Sequence, residues 1–521
     1  MAGRVNLDAM IPREDFARTG EAHGDATNLI KEFALSNLEA EAPVRLLLRK
    51  PDFQRETNHW SPEQLVTFVA SFVDNDVIPS LILWKSESFI FVIDGGHRLS
   101  ALRAWMTDDY GDGIISLQFY NGEINDAQKK IAKRTRVLVE REIGRYATYK
   151  ATVGKQGASP LQLKRANAAF MRSLQLQWVA GSPEVAETSF FKINSQGTPL
   201  DDTEQMLIVN RAKPIAVGAR AIVRAGHGHR YWSKFSPPMS QKVEELASQI
   251  FELLFKPEVN TPLRTLDIPL GGSVSPVDSL SLIIDFLAIS SSRGPTVVKI
   301  SEWENDTTGK ATVGVLRDAM AVSRRITGNW SESLGLHPAV YFYNERGRHS
   351  RFLFLGLAML LASRLHNNDD LWFKKFTKAR PLVEQFLIAE KSLIGILLQN
   401  MAKKVRVYKM RDLFAFLVEQ GQKGLLVSPL EAIAHLEIKG RIFDGGEFTA
   451  AGSSFSDDAK AMVFIKKQLE TTQKCPICGG YLDTSKSMSY DHLDPVSNGG
   501  KGSSSNMQLV HPFCNSAIKG G

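Results

Sequence analysis

The chain is poor in cysteine, and this scarcity narrows the classes of protein it can belong to. Only three cysteines occur among 521 residues, and all three lie between positions 475 and 514. A disulfide framework pairs its cysteines and distributes them through a small secreted fold, so an odd number in one short segment argues against one. Scarce cysteine also indicates a reducing compartment, and we expect a cytoplasmic protein.

The sequence also lacks the features of membrane and exported proteins. No apolar run approaches the roughly 20 residues that span a bilayer, and the N-terminus has no apolar signal-peptide core. Tandem repeats and low-complexity tracts are missing as well. The net charge of +7 and the pI near 9.1 permit nucleic-acid binding without demonstrating it. The length indicates about two to four domains.

The cysteines belong to a predicted metal site. Cys475 and Cys478 form a CxxC pair, and His511 and Cys514 form a second pair with the same gap. Two such pairs suit tetrahedral zinc. The alternative is a redox-active CxxC pair, but those pairs begin a helix after a strand, whereas two glycines follow this one. Without His511 the site would have only three protein ligands.

A second group of polar residues lies between the two ligand pairs. Along the chain it comprises Asp491-His492, Asp494-Pro495, a glycine-rich loop at 498–500, Asn506 and Asn515. This order resembles the HNH endonuclease family, which has the ββα-metal fold. The resemblance implies that His492 is the general base that activates water. It also implies that Asp491 and Asn515 complete the catalytic metal site and that Asn506 braces the loop.

The chemistry of phosphodiester cleavage supports these roles independently. The reaction needs a base with a pKa near neutrality, which histidine supplies, and a cation on the scissile oxygens. Mg²⁺ or Mn²⁺ prefers oxygen ligands, which Asp491 and the Asn515 amide provide. Zinc would instead replace the hydrophobic core that so short a segment cannot build. The alternative role for His492 is that of a zinc ligand or a helix cap.

Four motifs occur in order in the first half of the chain: PDFQR at 51–55, WSPEQ at 60–64, DGGHR at 94–98 and FFKINSQGTPL at 190–200. Ser61, Pro62 and Gln64 predict a helix start. Apolar residues at 81–84 and 89–93 predict two paired strands that lead into the DGGHR loop and a further helix. A helix N-terminus after a glycine turn can bind an anion, although such a turn is more often only a tight turn.

Together these motifs resemble the ParB/sulfiredoxin-like N-terminal domain of GmrSD-type and SspE-type restriction proteins, whose loop usually reads DGQQR. The resemblance covers about residues 40–230 and implies binding and hydrolysis of a nucleoside triphosphate, or sensing of modified DNA. Gly96 and His97 stand where the family has two glutamines, so binding without hydrolysis remains open. The implied nucleotide-binding residues are Gln54, Arg55, Asp94, Gly95, Gly96, His97 and Arg98.

Two further regions are rich in basic residues. One run lies on a predicted helix and comprises Lys129, Lys130, Lys133, Arg134 and Arg136. It would contact DNA only if it bordered the DGGHR cleft, and otherwise it is a solvated face. The others lie in a mainly helical middle region and comprise Lys374, Lys375 and Lys378, and Lys403, Lys404, Arg406, Lys409 and Arg411. For these residues, we favour the interpretation that they are solvent-exposed charges on a helical scaffold. The alternative is that they line a groove that binds DNA phosphates.

These observations predict an α+β multidomain protein. We expect a mobile arm at 1–40, a ParB-like α/β sensor domain at 41–230, a helical domain at 231–444 and a zinc-bearing ββα-metal HNH module at 457–521. The predicted function is a metal-dependent DNA endonuclease of restriction or anti-phage defence, acting on modified or phage DNA under control of the sensor domain. Two nicks on opposite strands would favour a homodimer, and no membrane partner is expected.

Two alternatives come from other functional classes. The chain could be a zinc-stabilised DNA-binding adaptor without turnover, although a binding module needs no general base. It could also be a nucleoside triphosphatase with an accessory nuclease.

Overall fold

A computed structural model describes residues 3–14, 30–51, 54, 57–122, 124–153, 158–181, 183–196, 202–227, 231–259, 262–273, 276–438 and 455–519. The chain divides into two compact units. The first comprises Met1–Arg211 and His227–Tyr231, and the second Ala212–Gly226 and Trp232–Gly521. Among the described helices, none combines the length and the apolar character needed to cross a membrane.

The first unit contains a six-stranded mixed sheet. Its strands are β1 (Arg13–Glu14), β2 (Glu32–Ala34), β3 (Leu48–Pro51), β4 (Leu81–Lys85), β5 (Ile90–Asp94) and β6 (Ser173–Val179), in the order β1-β3-β5-β4-β6-β2. The pairs β1–β3, β3–β5 and β4–β6 are parallel, and β4–β5 and β2–β6 are antiparallel. Its helices are α1 (Pro43–Leu47), α2 (Pro62–Val73), α3 (Gly96–Thr107), α4 (Ile114–Phe119), α5 (Asp126–Glu142), α6 (Tyr146–Thr152), α7 (Pro160–Met171), α8 (Pro183–Gln196) and α9 (Asp202–Val209).

The predicted helix start at Ser61 is confirmed in atomic detail. The Ser61 hydroxyl accepts a hydrogen bond from the Gln64 backbone N–H at 3.2 Å, and the Gln64 side-chain oxygen accepts one from the Ser61 N–H at 2.9 Å. This reciprocal pair satisfies N–H groups that the helix itself leaves without partners. The apolar residues at helical spacing in this helix, including Leu65, Val69 and Phe72, are buried in the core.

The predicted strand–turn–helix around the DGGHR loop is also confirmed. Strand β5 ends at Asp94, and α3 begins at Gly96. Gly95 lies between them in the left-handed region, with φ of +95°. A side chain at this position would also collide with Leu81, so both backbone conformation and space require glycine.

The start of the chain differs from the expected mobile arm. Val5, Leu7 and Met10 are buried in the core of the first unit. The Val5 N–H donates to the Trp60 carbonyl and the Leu7 N–H to the Thr57 carbonyl, each at 2.8 Å. The polar composition of this stretch concealed its contribution to the core, because its few apolar residues are buried by segments distant in the sequence.

The second unit is mainly helical, as predicted for the middle of the chain. Its helices are α10 (Pro214–Val223), α11 (Pro237–Phe255), α12 (Pro276–Ser291), α13 (Lys310–Ile326), α14 (Pro338–Tyr341), α15 (Arg351–His366), α16 (Asp370–Ala389), α17 (Lys391–Gln399), α18 (Arg406–Gln422), α19 (Pro429–His435) and α20 (Asp457–Thr471). Helix α15 is buried over most of its length and packs against α12 and α18.

The C-terminal segment of the second unit forms a small ββα arrangement. Strands β7 (Ser489–His492) and β8 (Met507–Val510) pair antiparallel, and a π-helix (Cys514–Lys519) follows. This arrangement packs directly on the helical region. The Phe513 N–H donates to the Ser333 carbonyl at 2.9 Å, and the Met488 N–H donates to the Asn329 side chain at 2.9 Å. The C-terminal module and the helices therefore share one interior.

Candidate metal centre and active site

The three cysteines and one histidine at the C-terminal end converge on a single point. Their ligand atoms all lie within 4.8 Å of one another, and all four residues are buried. The group comprises Cys475, Cys478, His511 and Cys514. The CxxC turn is held by two backbone hydrogen bonds of 2.8 Å, from Gly479 N–H to the Cys475 carbonyl and from Cys475 N–H to the Gly480 carbonyl.

The spacing of these atoms fits zinc. His511 Nδ1 lies 3.3 Å from Cys478 Sγ and 3.9 Å from Cys514 Sγ. Around a tetrahedral zinc ion, with Zn–S near 2.3 Å and Zn–N near 2.0–2.1 Å, a nitrogen and a sulfur ligand are about 3.6 Å apart. The two distances bracket this value, so the four residues present a cage of suitable size and chemistry for structural zinc.

The orientation of His511 also suits a metal ligand. Its Nε2 lies 3.0 Å from the Tyr481 carbonyl, which can only accept a hydrogen bond. This contact places the ring proton on Nε2 and leaves Nδ1 toward the thiols. Burial, with a further contribution from the Arg380 charge, lowers the pKa of His511 and favours the neutral imidazole that binds metal.

Arg380 of α16 connects the helical region to this cage. Its guanidinium donates to the Leu334 carbonyl at 2.6 Å and the Gly335 carbonyl at 2.9 Å, and it lies 3.3 Å from His511 Nδ1. Gly480 allows the close approach, because a Cβ there would collide with the Arg380 side chain. Three thiolates and a neutral histidine around Zn²⁺ would carry one net negative charge, which a buried guanidinium complements.

Glu384 completes this buried polar network. Arg380 Nε contacts Glu384 Oε1 at 2.6 Å, with both side chains only 2% exposed. The carboxylate also accepts from the Tyr341 hydroxyl at 3.0 Å and from the Tyr481 N–H at 2.8 Å. The second contact joins α16 to the backbone of the metal-binding segment. Sequence reasoning missed both residues, because their spacing of four on a helix is common to many surface ion pairs.

The predicted catalytic residues lie on the strand pair and the π-helix. Asp491 is buried on β7, and its Oδ2 accepts from the Gln508 side chain on β8 at 2.8 Å. The Asn515 amide nitrogen donates to the Ser489 hydroxyl at 2.8 Å and to the Tyr490 carbonyl at 3.1 Å. With its nitrogen committed, the Asn515 amide offers only its oxygen to a cation.

Strand geometry relates these residues to one another. Ser489 and Asp491 alternate along β7 and share one face, and Asn515 contacts Ser489, so Asp491 and Asn515 lie on the same side of the pair. His492 ends β7 opposite Met507. Sequence reasoning missed Gln508 and Ser489, which orient the predicted ligands but carry no motif signal of their own.

Asn506 holds the loop that follows His492. Its side-chain oxygen accepts from the Asp494 N–H at 2.7 Å, and its amide donates to the Asp494 carbonyl at 3.1 Å and the Lys501 carbonyl at 2.9 Å. A single side chain thus ties both ends of the glycine-rich segment.

In the first unit the DGGHR loop opens onto a cavity of about 170 Å³. Its lining includes every described residue predicted to bind nucleotide, namely Gln54, Asp94, Gly95, Gly96, His97 and Arg98, together with Thr57, Trp60, Ile93 and Phe190. Arg55 lies outside the described residues. The volume is below the roughly 300–1,000 Å³ of typical ligand pockets, so a bound nucleotide would extend beyond the cavity.

Within this cavity, the side-chain oxygen of Gln54 can accept a hydrogen bond from a ligand. The side chain is 8% exposed, and its Oε1 makes no hydrogen bond to any described residue. A buried acceptor without a donor costs about 1–3 kcal/mol, which a hydroxyl or amino group of a ligand would offset. Arg98 is less available, because its guanidinium bonds Asp94 and the Pro79 carbonyl.

An ion cluster from the start of the chain positions Gln54. Asp8 is buried and contacts Arg13 at 2.7 Å and Lys50 at 2.8 Å. Arg13 in turn donates to the Gln54 carbonyl, and Lys50 donates to the Thr57 hydroxyl at 2.9 Å. Sequence analysis missed this cluster, since three charged residues separated by up to 42 positions give no local pattern.

His97 packs against aromatic groups at the rim of the cavity. Its ring centroid lies 5.6 Å from that of Trp60, at an interplanar angle of 30°, and 5.9 Å from that of His59. His59 is paired with Glu204 of α9 at 2.8 Å. The residue that replaces a family glutamine therefore stands beside a histidine–carboxylate pair.

Comparison with known protein families agrees with both motif sets. The family model described as "GmrSD restriction endonuclease, N-terminal domain" matches residues 34–211, and the one described as "HNH endonuclease" matches residues 475–520. Searches of curated proteins and of solved structures gave no match. The chain thus joins a GmrSD-type restriction endonuclease N-terminal domain to a C-terminal HNH endonuclease domain, a combination that supports a restriction-type nuclease.

Proposed function

We propose that this protein is a DNA endonuclease of cellular defence, in which the HNH domain hydrolyses phosphodiester bonds under control of the N-terminal domain. The observation that carries the proposal is the arrangement on β7 and the π-helix. Asp491 and Asn515 share one side of the strand pair, His492 ends the same strand, and the cysteine cage contains none of the three.

In this proposal each residue has one task. Asp491 and Asn515 would hold a catalytic divalent ion, Mg²⁺ or Mn²⁺, which when bound neutralises charge on the scissile phosphate. His492 takes the proton from the attacking water. Gln508 holds the Asp491 carboxylate in place, and Asn506 keeps the following loop closed. Zinc in the cysteine cage would have a structural role only.

The N-terminal domain would supply the control. A helix N-terminus at Gly96, the acceptor of Gln54 and the flat Trp60 ring together suit a phosphate and a base, from a nucleoside triphosphate or a modified DNA nucleotide. A switch between two arrangements needs only a few kcal/mol of differential binding. We propose a cytoplasmic location, and a homodimer would allow cuts on both strands.

Nucleoside triphosphate hydrolysis by the N-terminal domain is the second candidate. The His59–Glu204 pair beside His97 is the observation in its favour, because it offers an acid–base group where the family has glutamine. An Asp94→Ala protein with undiminished nucleotide turnover would remove the DGGHR loop from such a reaction.

The primary test is cleavage of supercoiled plasmid by the wild type and His492→Ala with Mg²⁺ or Mn²⁺, each nucleoside triphosphate, and modified or unmodified DNA. We expect a loss of about 10²–10⁴-fold in the variant, the usual contribution of a general base. His435→Ala, which alters an exposed histidine of the same unit, is the control and should cut normally.

The outcomes separate the functional classes. Cleavage that depends on His492 and on nucleotide or modification supports a gated nuclease. Equal cleavage by the wild type and His492→Ala would reject His492 as the base. DNA binding without cleavage under any condition would favour the adaptor function.

A further inference from the structure

Helix α16 carries an exposed row of lysines. Lys374, Lys375 and Lys378 are exposed, and none has an ion-pair partner within the described part of the chain. Between Asp370 and Glu384 this helix contains no acidic residue. Lys374 and Lys378 are four residues apart and therefore lie on one face, about 6 Å apart along the axis.

The basic run on α5 differs in this respect. On α5, Arg134 contacts Glu63 at 2.5 Å, Arg136 contacts Asp112 at 2.7 Å, and Lys129 contacts Asp126 at 3.5 Å. Much of its positive charge is thus matched by nearby carboxylates. On α16, by contrast, every lysine of the run is without a carboxylate partner among the residues that the structure describes.

Neighbouring residues of α16 fix the helix to the HNH domain. Phe373 packs edge-to-face on Phe513, with ring centroids 6.4 Å apart, and Arg380 reaches the metal cage. Phe513 is two residues before Asn515, and α16 packs beside the π-helix that carries this predicted metal ligand. The row therefore keeps a set position relative to the catalytic strands.

The face that bears the lysines also borders the cysteine turn. Lys374, Lys378 and Pro381 recur at intervals of four and three, which places them on one side of the helix. The Pro381 ring lies 3.2 Å from the Cβ position of Gly479, which follows Cys478. The lysine row is thus continuous with the edge of the HNH domain.

We infer that Lys374 and Lys378 of this row bind backbone phosphates of the DNA that flanks the cleavage site. This inference rests on the proposed function, because it names the surface that the DNA follows beyond the HNH domain. Two exposed ammonium groups about one helical turn apart can each contact a backbone phosphate and release a condensed counterion.

The experiment is equilibrium binding of a fluorescein-labelled 30-base-pair duplex, measured by anisotropy from low to moderate salt in the His492→Ala background, so that cleavage cannot interfere. The slope of log K against log salt is negative, and its magnitude falls by about 0.9 for each phosphate that the protein no longer neutralises. Lys374→Gln with Lys378→Gln should therefore reduce the magnitude of the slope by about 1.8. Unmodified duplex suffices because this contribution is independent of sequence.

Two double variants serve as controls in this binding experiment. Lys242→Gln with Lys423→Gln removes the same charge from the same unit at lysines paired with Glu245 and Glu419, and its slope should equal that of the parent. Lys374→Arg with Lys378→Arg keeps the charge and should retain the slope.

An unchanged slope in the Lys374→Gln, Lys378→Gln protein overturns the inference, as does an equal reduction in the control. If the wild type cuts plasmid while this slope is unchanged, only the lysine row is rejected. If the wild type neither binds nor cuts any DNA, the proposed nuclease function is rejected with it.

Discussion

The two sites of this chain are held in place by different means. In the C-terminal domain, four metal-binding side chains and the catalytic candidates fall within 41 positions, from Cys475 to Asn515. The N-terminal cavity is lined by a local loop, but the residues that position its far wall, Asp8 and Lys50, come from distant parts of the chain. The first site depends on a short motif and the second on buried charges brought together by the whole fold.

This difference predicts different sensitivities. Loss of one metal ligand should affect a small region strongly. Loss of one member of the ion cluster should affect the whole first unit. The C-terminal domain also depends on α16 through Arg380, so it should be less independent than its compact motif indicates.

The largest expected effect is that of Cys478→Ser. Structural zinc contributes on the order of 10–16 kcal/mol to the folding of small zinc domains, so the variant should lose zinc and local structure together. Hydrogen exchange should show loss of protection over residues 475–514 and in the Arg380 turn of α16, with peptides of the first unit unchanged. Zinc content measured by mass spectrometry should fall from one ion per chain, and an unchanged content would reject the ligand assignment.

Asp8→Asn should have the next largest effect. The substitution removes a buried carboxylate that contacts both Arg13 and Lys50, and breaking buried ion pairs typically costs roughly 3–5 kcal/mol. The free energy of unfolding of the first unit, from denaturant titration, measures this loss. Glu63→Gln breaks the exposed Arg134 pair and should change stability by less than about 1 kcal/mol. Similar values for the two variants would contradict a special role for the cluster.

Arg380→Met should have a somewhat smaller effect, near the lower end of the same range at about 3 kcal/mol. Glu384 loses its charged partner but keeps the hydroxyl of Tyr341 and the N–H of Tyr481 as donors. The double variant Arg380→Met with Glu384→Met removes the unpaired charge and should recover part of the loss. Thermal unfolding followed by zinc release measures both, and a double variant weaker than the single one would argue against an uncompensated carboxylate.

The sequence predicted those parts of the fold that depend on neighbours in the chain. The capped helix at Ser61 and the strand–turn–helix at Gly95 are confirmed, because caps, glycine turns and apolar periodicity are local signals. The cluster of four metal-binding side chains followed from ligand spacing for the same reason.

Proximity between distant residues could not be predicted in this way. The ordered start of the chain, with Leu7 and Met10 in the core, depends on residues that are far away in the sequence. The same holds for the seating of the HNH domain on Ser333 and Arg380. Part of the charge pairing was hidden as well, since Arg134 and Arg136 of α5 pair with Glu63 and Asp112, which only the fold brings near them.

The Arg380–Glu384 pair has a consequence for protein engineering. A protein engineer who wants the nuclease activity alone would excise the HNH domain and fuse it to another protein. Here a graft that begins at α20 would leave behind a guanidinium beside the metal cage and the carboxylate that bonds the Tyr481 N–H. A transplantable version should therefore carry α16 with it, or replace the carboxyl end of that helix by a designed support.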